Sequence, residues 1–174
     1  MPMHYADMCD ELRALMIDEI EIDGGALYHS AYFTEAGASA WKELLQAACQ
    51  SGDDASLTSQ LEAIHLKTHH SYLRNGRPVN ARVPATAAKT IAESNFSRFY
   101  LRALCRMALS RGIPTVVGYR AMDVERPRSG SEEKIGVTFD AETILADLRA
   151  TMHCEPQHGM PPGVGSGILA RLPH

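Results

Sequence analysis

The chain has 174 residues, of which 45% are hydrophobic and 22% charged, with a net charge of −4. A chain of this length buries roughly two-thirds of its unfolded surface, so its core needs no disulfide or metal. With aromatics at 6%, that core rests on Leu, Ile, Val, Ala and Met. No apolar run reaches the ~18 residues of a membrane span, and the acidic start MPMHYADMCDEL is unlike a secretory signal. Cys9, Cys49, Cys105 and Cys154 are scattered and form no CxxC pair, which suits reduced thiols. A cytoplasmic protein with no membrane contact and no cofactor is expected.

Taken in chain order, the apolar spacing of Met8, Leu12, Leu15 and Met16 predicts a first helix over about 5–17. Ile17, Ile20 and Ile22 alternate with acids up to Gly24-Gly25 and suggest a short edge strand. Thr34 is placed as an N-cap for a second helix, in which Ala38, Trp41, Leu44, Leu45 and Ala48 recur to about Gln50. After the break at Ser51–Asp54, a third helix carries Leu57, Leu61, Ile64 and Thr68 on one face. Residues 73–86, with two prolines and Asn75-Gly76, read as an extended connector without regular structure. A long helix over about 85–111 follows and stops at Gly112 with Pro114 beyond. Its apolar arc runs almost round the cylinder, which marks a central buried helix with Arg98, Arg102 and Arg106 on one seam.

The remaining elements are a small β-hairpin at about 115–124 and 135–139 and a last helix at about 141–152. Asp140 caps that helix, and Phe139 and Ile144 are placed for a hydrophobic staple. The expected fold is therefore α+β and mainly helical, with about five helices, the hairpin and an extended C-terminal tail. Residues 1–155 are read as a single globular domain. Residues 156–174 are rich in Pro and Gly and are read as a docked tail, anchored by Ile168, Leu169 and Leu172.

Charge is divided along the chain. Residues 1–66 hold twelve acids and two bases (−10), residues 67–111 nine bases and Glu93 alone (+8), and residues 112–174 six bases and eight acids (−2). A basic middle between acidic flanks pairs within the fold, meets the acidic face of another copy, or meets nucleic acid. Arg outnumbers Lys seven to two in that segment, and guanidinium favours bidentate pairing over mere solvation. Arg74, Arg77, Arg82, Arg98, Arg102 and Arg106 are the candidate contact residues.

Other motifs are weaker. Glu62, His65 and His69 fall at helical spacing and could present a carboxylate and two imidazoles to a metal, although no second ligand helix accompanies them. His153, Cys154 and His158 form a looser cluster. Gly163-x-Gly165-x-Gly167 lacks the strand and helix of a phosphate loop. Residues 86–106 are similar to a helix-turn-helix if the chain breaks at Ser94-Asn95, against the alternative of one continuous helix. No nucleophile elbow, HExxH or spaced acid pair is present. These features point to a non-enzymatic binding or assembly protein of bacterial or phage type that self-associates, or binds another protein, through its Arg-rich segment 74–111. The alternatives are a nucleic-acid-binding protein using 86–106 and a small metal-dependent enzyme built on Glu62, His65 and His69.

Overall fold

A computed structural model describes residues 3–125, 130–152, 156–161, 163 and 165–173. Among these, five α-helices and two small antiparallel sheets make a mainly helical α+β fold. The helices are α1 (Asp10–Asp23), α2 (Glu35–Ser51), α3 (Asp54–Ile64), α4 (Ala87–Ser110) and α5 (Ala141–Ala150). One sheet is the two-stranded pair β1 (His69–Arg74) and β2 (Arg77–Arg82). The other runs in the order β4-β3-β5, from β3 (Thr115–Arg120), β4 (Thr138–Asp140) and β5 (Ile168–Arg171).

Helix α4 is the axis of the molecule. Helices α1, α3 and α5 each pack on it, α2 closes over α1 and α3, and β3 and β5 rest on its far side. Its sequence explains this position, because Phe96, Tyr100, Leu101, Ala103, Leu104 and Cys105 are all fully enclosed. A helix apolar on nearly every face must be wrapped by others. It is continuous across Ser94 and Asn95, where the Asn95 side chain donates to the Ile91 carbonyl at 2.8 Å instead of turning the chain. The helix-turn-helix split is thereby corrected to a single helix. Tyr5 enters the same core from the N-terminal segment, edge-on to Phe96 and Tyr100 at 4.9 and 5.0 Å.

Helix α1 begins and ends later than its apolar spacing suggests. Leu12, Met16 and Ile20 lie four residues apart on one buried face, so the isoleucines that resemble a strand belong to a helix. Ile22 is the exposed residue of the set, at 59%. Gly24, with φ +50°, ends the helix, and its N–H returns to the Ile20 carbonyl. The expected caps of α2 and α5 are formed: Thr34 accepts from the Gly37 N–H at 3.0 Å and Asp140 from the Thr143 N–H at 2.8 Å. Helix α3 ends at Ile64, so Thr68 does not share its face.

Two further elements differ from expectation. The connector 73–86 contains a regular hairpin, because Asn75 and Gly76 adopt φ of 52° and 75°, the left-handed pair of a tight two-residue turn. The C-terminal tail adds a third strand to what reads as a hairpin: β5 pairs antiparallel with β3, Gly118 opposite Ala170 and Arg120 opposite Ile168. Ile168, Leu169 and Ala170 are buried there, Tyr100 donates to the Ala170 carbonyl at 3.3 Å, and the Leu172 N–H reaches the Asp7 carboxylate at 2.9 Å. Gly167 is required at the entry to this strand, since its φ is +67° and a Cβ would stand 2.3 Å from the Met122 carbonyl oxygen.

Candidate functional site

The basic middle of the chain separates into two parts with opposite fates. On α4, the seam of arginines is consumed within the fold. Arg102 is fully buried; its Nε donates to Glu19 Oε2 at 2.8 Å, and Nη1 and Nη2 grip the two Asp23 oxygens at 2.6 and 2.8 Å. Arg106 meets the same Glu19 at 3.1 Å, and Arg149 from α5 meets it at 2.5 and 3.0 Å. Glu19 has no exposed surface and accepts from all three arginines. Burial alone would raise its carboxyl, but hydrogen bonds from Arg149 and Arg102 and their charges overcome this and hold it below the ordinary value. Arg98 donates to the Leu148 carbonyl at 2.9 Å and so ties α4 to α5. The seam is the cement between α1, α4 and α5. As a contact surface it is corrected for Arg102, which no partner can reach.

The remaining three arginines stand on the β1–β2 hairpin. Every residue from 71 to 78 is exposed. Six residues per strand make an arm of roughly 20 Å. Its base is fixed: Val83 N–H bonds the Thr68 carbonyl at 2.9 Å, Lys67 N–H bonds the Tyr32 carbonyl at 2.8 Å, and the Tyr32 ring meets His70 edge-on at 5.2 Å. His70 in turn stacks on Tyr72 at 5.7 Å. Alternation then places Arg74 and its cross-strand partner Arg77 on the His70–Tyr72 face at the tip. Arg82 pairs with His69 across the base, on the opposite face. Leu73, at 74%, is the most exposed of the large apolar residues.

Electrostatically the arm is unlike its surroundings. Residues 63–92 contain no acid and five bases (Lys67, Arg74, Arg77, Arg82, Lys89), so with a total of −4 the rest of the chain carries −9. On α1 and α2 the acids Glu11, Asp18, Glu19, Glu21 and Asp23 are paired with basic side chains, whereas Asp10, Glu35 and Glu43 are exposed and, among the described residues, in no ion pair.

The metal reading does not survive the fold. Glu62 is exposed on α3, His65 is the residue that ends that helix, and His69 opens β1, so the three do not share a helical face. Among the described residues no group of three His, Cys, Asp or Glu side chains is placed to hold a metal ion. His153 and Cys154 lie outside the described residues. Burial pushes the Cys49 and Cys105 thiols up to about 12, which leaves both as inert core residues. Among the described residues no helix is long and apolar enough to cross a membrane. The chain matches no protein family, no curated protein and no solved structure.

Sequence reading located the arm's arginines but not the arm. The Asn-Gly dipeptide between HHSYLR and RPVNAR is the signal that finds it, since that pair is the preferred centre of a two-residue hairpin turn.

Proposed function

We propose that this is a non-enzymatic assembly protein that self-associates, the β1–β2 arm of one copy docking on the acidic α1–α2 face of the next. One observation carries the reading: an acid-free, arginine-tipped hairpin stands clear of a body that holds a charge of −9. A two-stranded hairpin in water is marginally stable by itself. An arm tied down only at its base gains its remaining order from whatever covers Tyr72, Leu73, Arg74 and Arg77. A surface of opposite sign on the same molecule supplies that cover and steers the encounter. The contact is heterologous, since arm and acidic face are different patches, so it builds rings or filaments rather than closing as a simple two-fold pair.

The test is a charge swap read by sedimentation. Arg74→Glu/Arg77→Glu and Glu35→Lys/Glu43→Lys each sediment as monomers, and an equimolar mixture of the two regains a complex. A wild-type chain that stays monomeric at every concentration overturns the proposal. If that monomer also binds DNA or RNA with a steep salt dependence lost in Arg74→Glu/Arg77→Glu, the arm is a nucleic-acid ribbon of the kind a major groove admits.

A further inference from the structure

A cleft of about 500 Å³ opens beside the base of the arm. It is lined by the N-terminal half of α4, by Tyr28, Ser30 and Tyr32, and by Pro156, Pro161, Gly163, Ser166, Ile168 and Leu169 of the C-terminal tail. Its size falls within the range of small-ligand sites, which are mostly apolar with a few placed polar groups. The apolar lining comes from Met3, Ile91, Met152, Ile168 and Leu169.

The polar group that distinguishes the cleft is Glu93. It lines the cavity, yet only 4% of it is exposed. Among the described residues its carboxylate accepts one hydrogen bond, from the Gly165 N–H at 2.7 Å. Among the described residues no Lys, Arg or His forms an ion pair with it. Arg98 also lines the cleft, and its Nη1 donates to the Leu148 carbonyl at 2.9 Å. Asp54, a second buried acid, lies near enough to feel the Glu93 charge. The contrast with Glu19 is direct, because that buried carboxylate has three arginines. With one backbone donor and, among the described residues, no basic side chain in an ion pair with it, the carboxylate has acceptor positions left over where it lines the cleft. A cation entering the cleft would fill those positions and meet the charge.

We propose that this cleft is a binding site for a small organic cation, an ammonium or guanidinium group carried on an apolar body. The charged head sits against Glu93, and the body lies along Ile91, Ile168 and Leu169. Tyr28 and Tyr32 also line the cleft, and aromatic rings are suited to a cationic ligand. The tail is part of the site, since it supplies both the Gly165 N–H that orients the carboxylate and one apolar wall.

The experiment titrates phenethylamine and benzamidine into the full chain, with 2-phenylethanol and phenylacetate as the neutral and anionic counterparts. Amide resonances and calorimetry are followed together. The Gly165 amide shares the Glu93 carboxylate with the ligand and moves on binding. Both cations saturate, whereas the alcohol binds about tenfold more weakly or worse and the anion does not bind, as expected for loss of a charge-assisted hydrogen bond. Glu93→Gln retains an acceptor for Gly165, melts no lower than wild type, and loses the preference for the amine over the alcohol. Absence of saturable binding by either cation overturns the proposal, as does equal binding of alcohol and amine, or a preference that survives in Glu93→Gln. The monomeric Arg74→Glu/Arg77→Glu variant binds phenethylamine as wild type does. Tighter binding there would identify a neighbouring copy's arginine, not a free cation, as the occupant.

Discussion

Replacing Glu19 with Gln keeps its size and removes the one charge on which three arginines converge. The structure sets the magnitude. Arg106 and Arg149 have side chains 28% and 40% exposed and rejoin water when the carboxylate is gone. Arg102 is fully enclosed and keeps, beside the residue-19 carbonyl at 3.4 Å and the Phe99 ring, Asp23 as its one carboxylate partner. Breaking a buried pair by removing one partner costs about 3–5 kcal/mol, and the surviving Asp23 contact puts this case near the lower end, at about 3 kcal/mol. For a chain of this length that corresponds to a fall in Tm of about 6–12 °C. Urea unfolding followed by circular dichroism measures the loss directly. The double change Glu19→Leu/Arg102→Met costs less than the sum of its two single changes, because the second removes the charge that the first leaves unpaired. A Glu19→Gln midpoint indistinguishable from wild type, or strict additivity in the double variant, would refute the claim that this cluster joins α1, α4 and α5.

Three further outcomes follow from the same packing. Because the Glu19 carboxyl is held below its ordinary 4.5, its contribution is complete above that value and is lost as pH falls through it toward the lower folded value. Urea midpoints measured from about pH 7 to about pH 3 therefore drop more steeply for wild type than for Glu19→Gln. Leu104→Ala leaves a cavity at the centre of α4, where Leu104 has no exposed surface, and lowers stability by about 2–5 kcal/mol; an unchanged melting curve contradicts the central position of that helix. Deleting residues 165–174 strips β5 from β3 and uncovers Tyr100, so hydrogen exchange accelerates markedly at Ala121, whose N–H bonds the Gly167 carbonyl at 2.7 Å, and at Tyr119, which alternation turns to the same side. Protection there that is insensitive to the deletion would show that β5 contributes no order to the sheet.

The helical part of this fold was legible because its signals are local. The caps at Thr34 and Asp140 and the all-round apolar pattern of α4 are written in adjacent residues, and they needed no partner to be interpreted. The end of helix α1 is hidden in the sequence because Ile17, Ile20 and Ile22 among acids imitate a strand period. Only the buried ion cluster explains acids on the inner face of that helix, and it joins Glu19 to Arg102 and Arg149, 83 and 130 residues away. The arm was missed through one dipeptide, Asn75-Gly76, read as a break where it is a turn. Strand β5 depends on a pairing with β3 that closes some 50 residues of intervening chain, a partner that local periodicity does not name. The arginine seam was visible as a seam, but its direction was not. Periodicity places Arg98, Arg102 and Arg106 on one line and leaves open whether that line faces solvent or another helix. Glu93 carried no sequence signal beyond being the single acid in a basic segment, and its interest arises only from the burial and the cleft around it.

Self-association through the arm is the central claim, and light scattering of the native chain across a range of protein concentrations tests it most directly. The measurement is made at about 50 mM and about 500 mM salt, which brackets the change from weak to strong screening of exposed charge. The account predicts a mass that climbs with concentration at low salt and falls back to that of a single chain at high salt. A monomeric mass under all conditions, or a complex that high salt leaves intact, would contradict it.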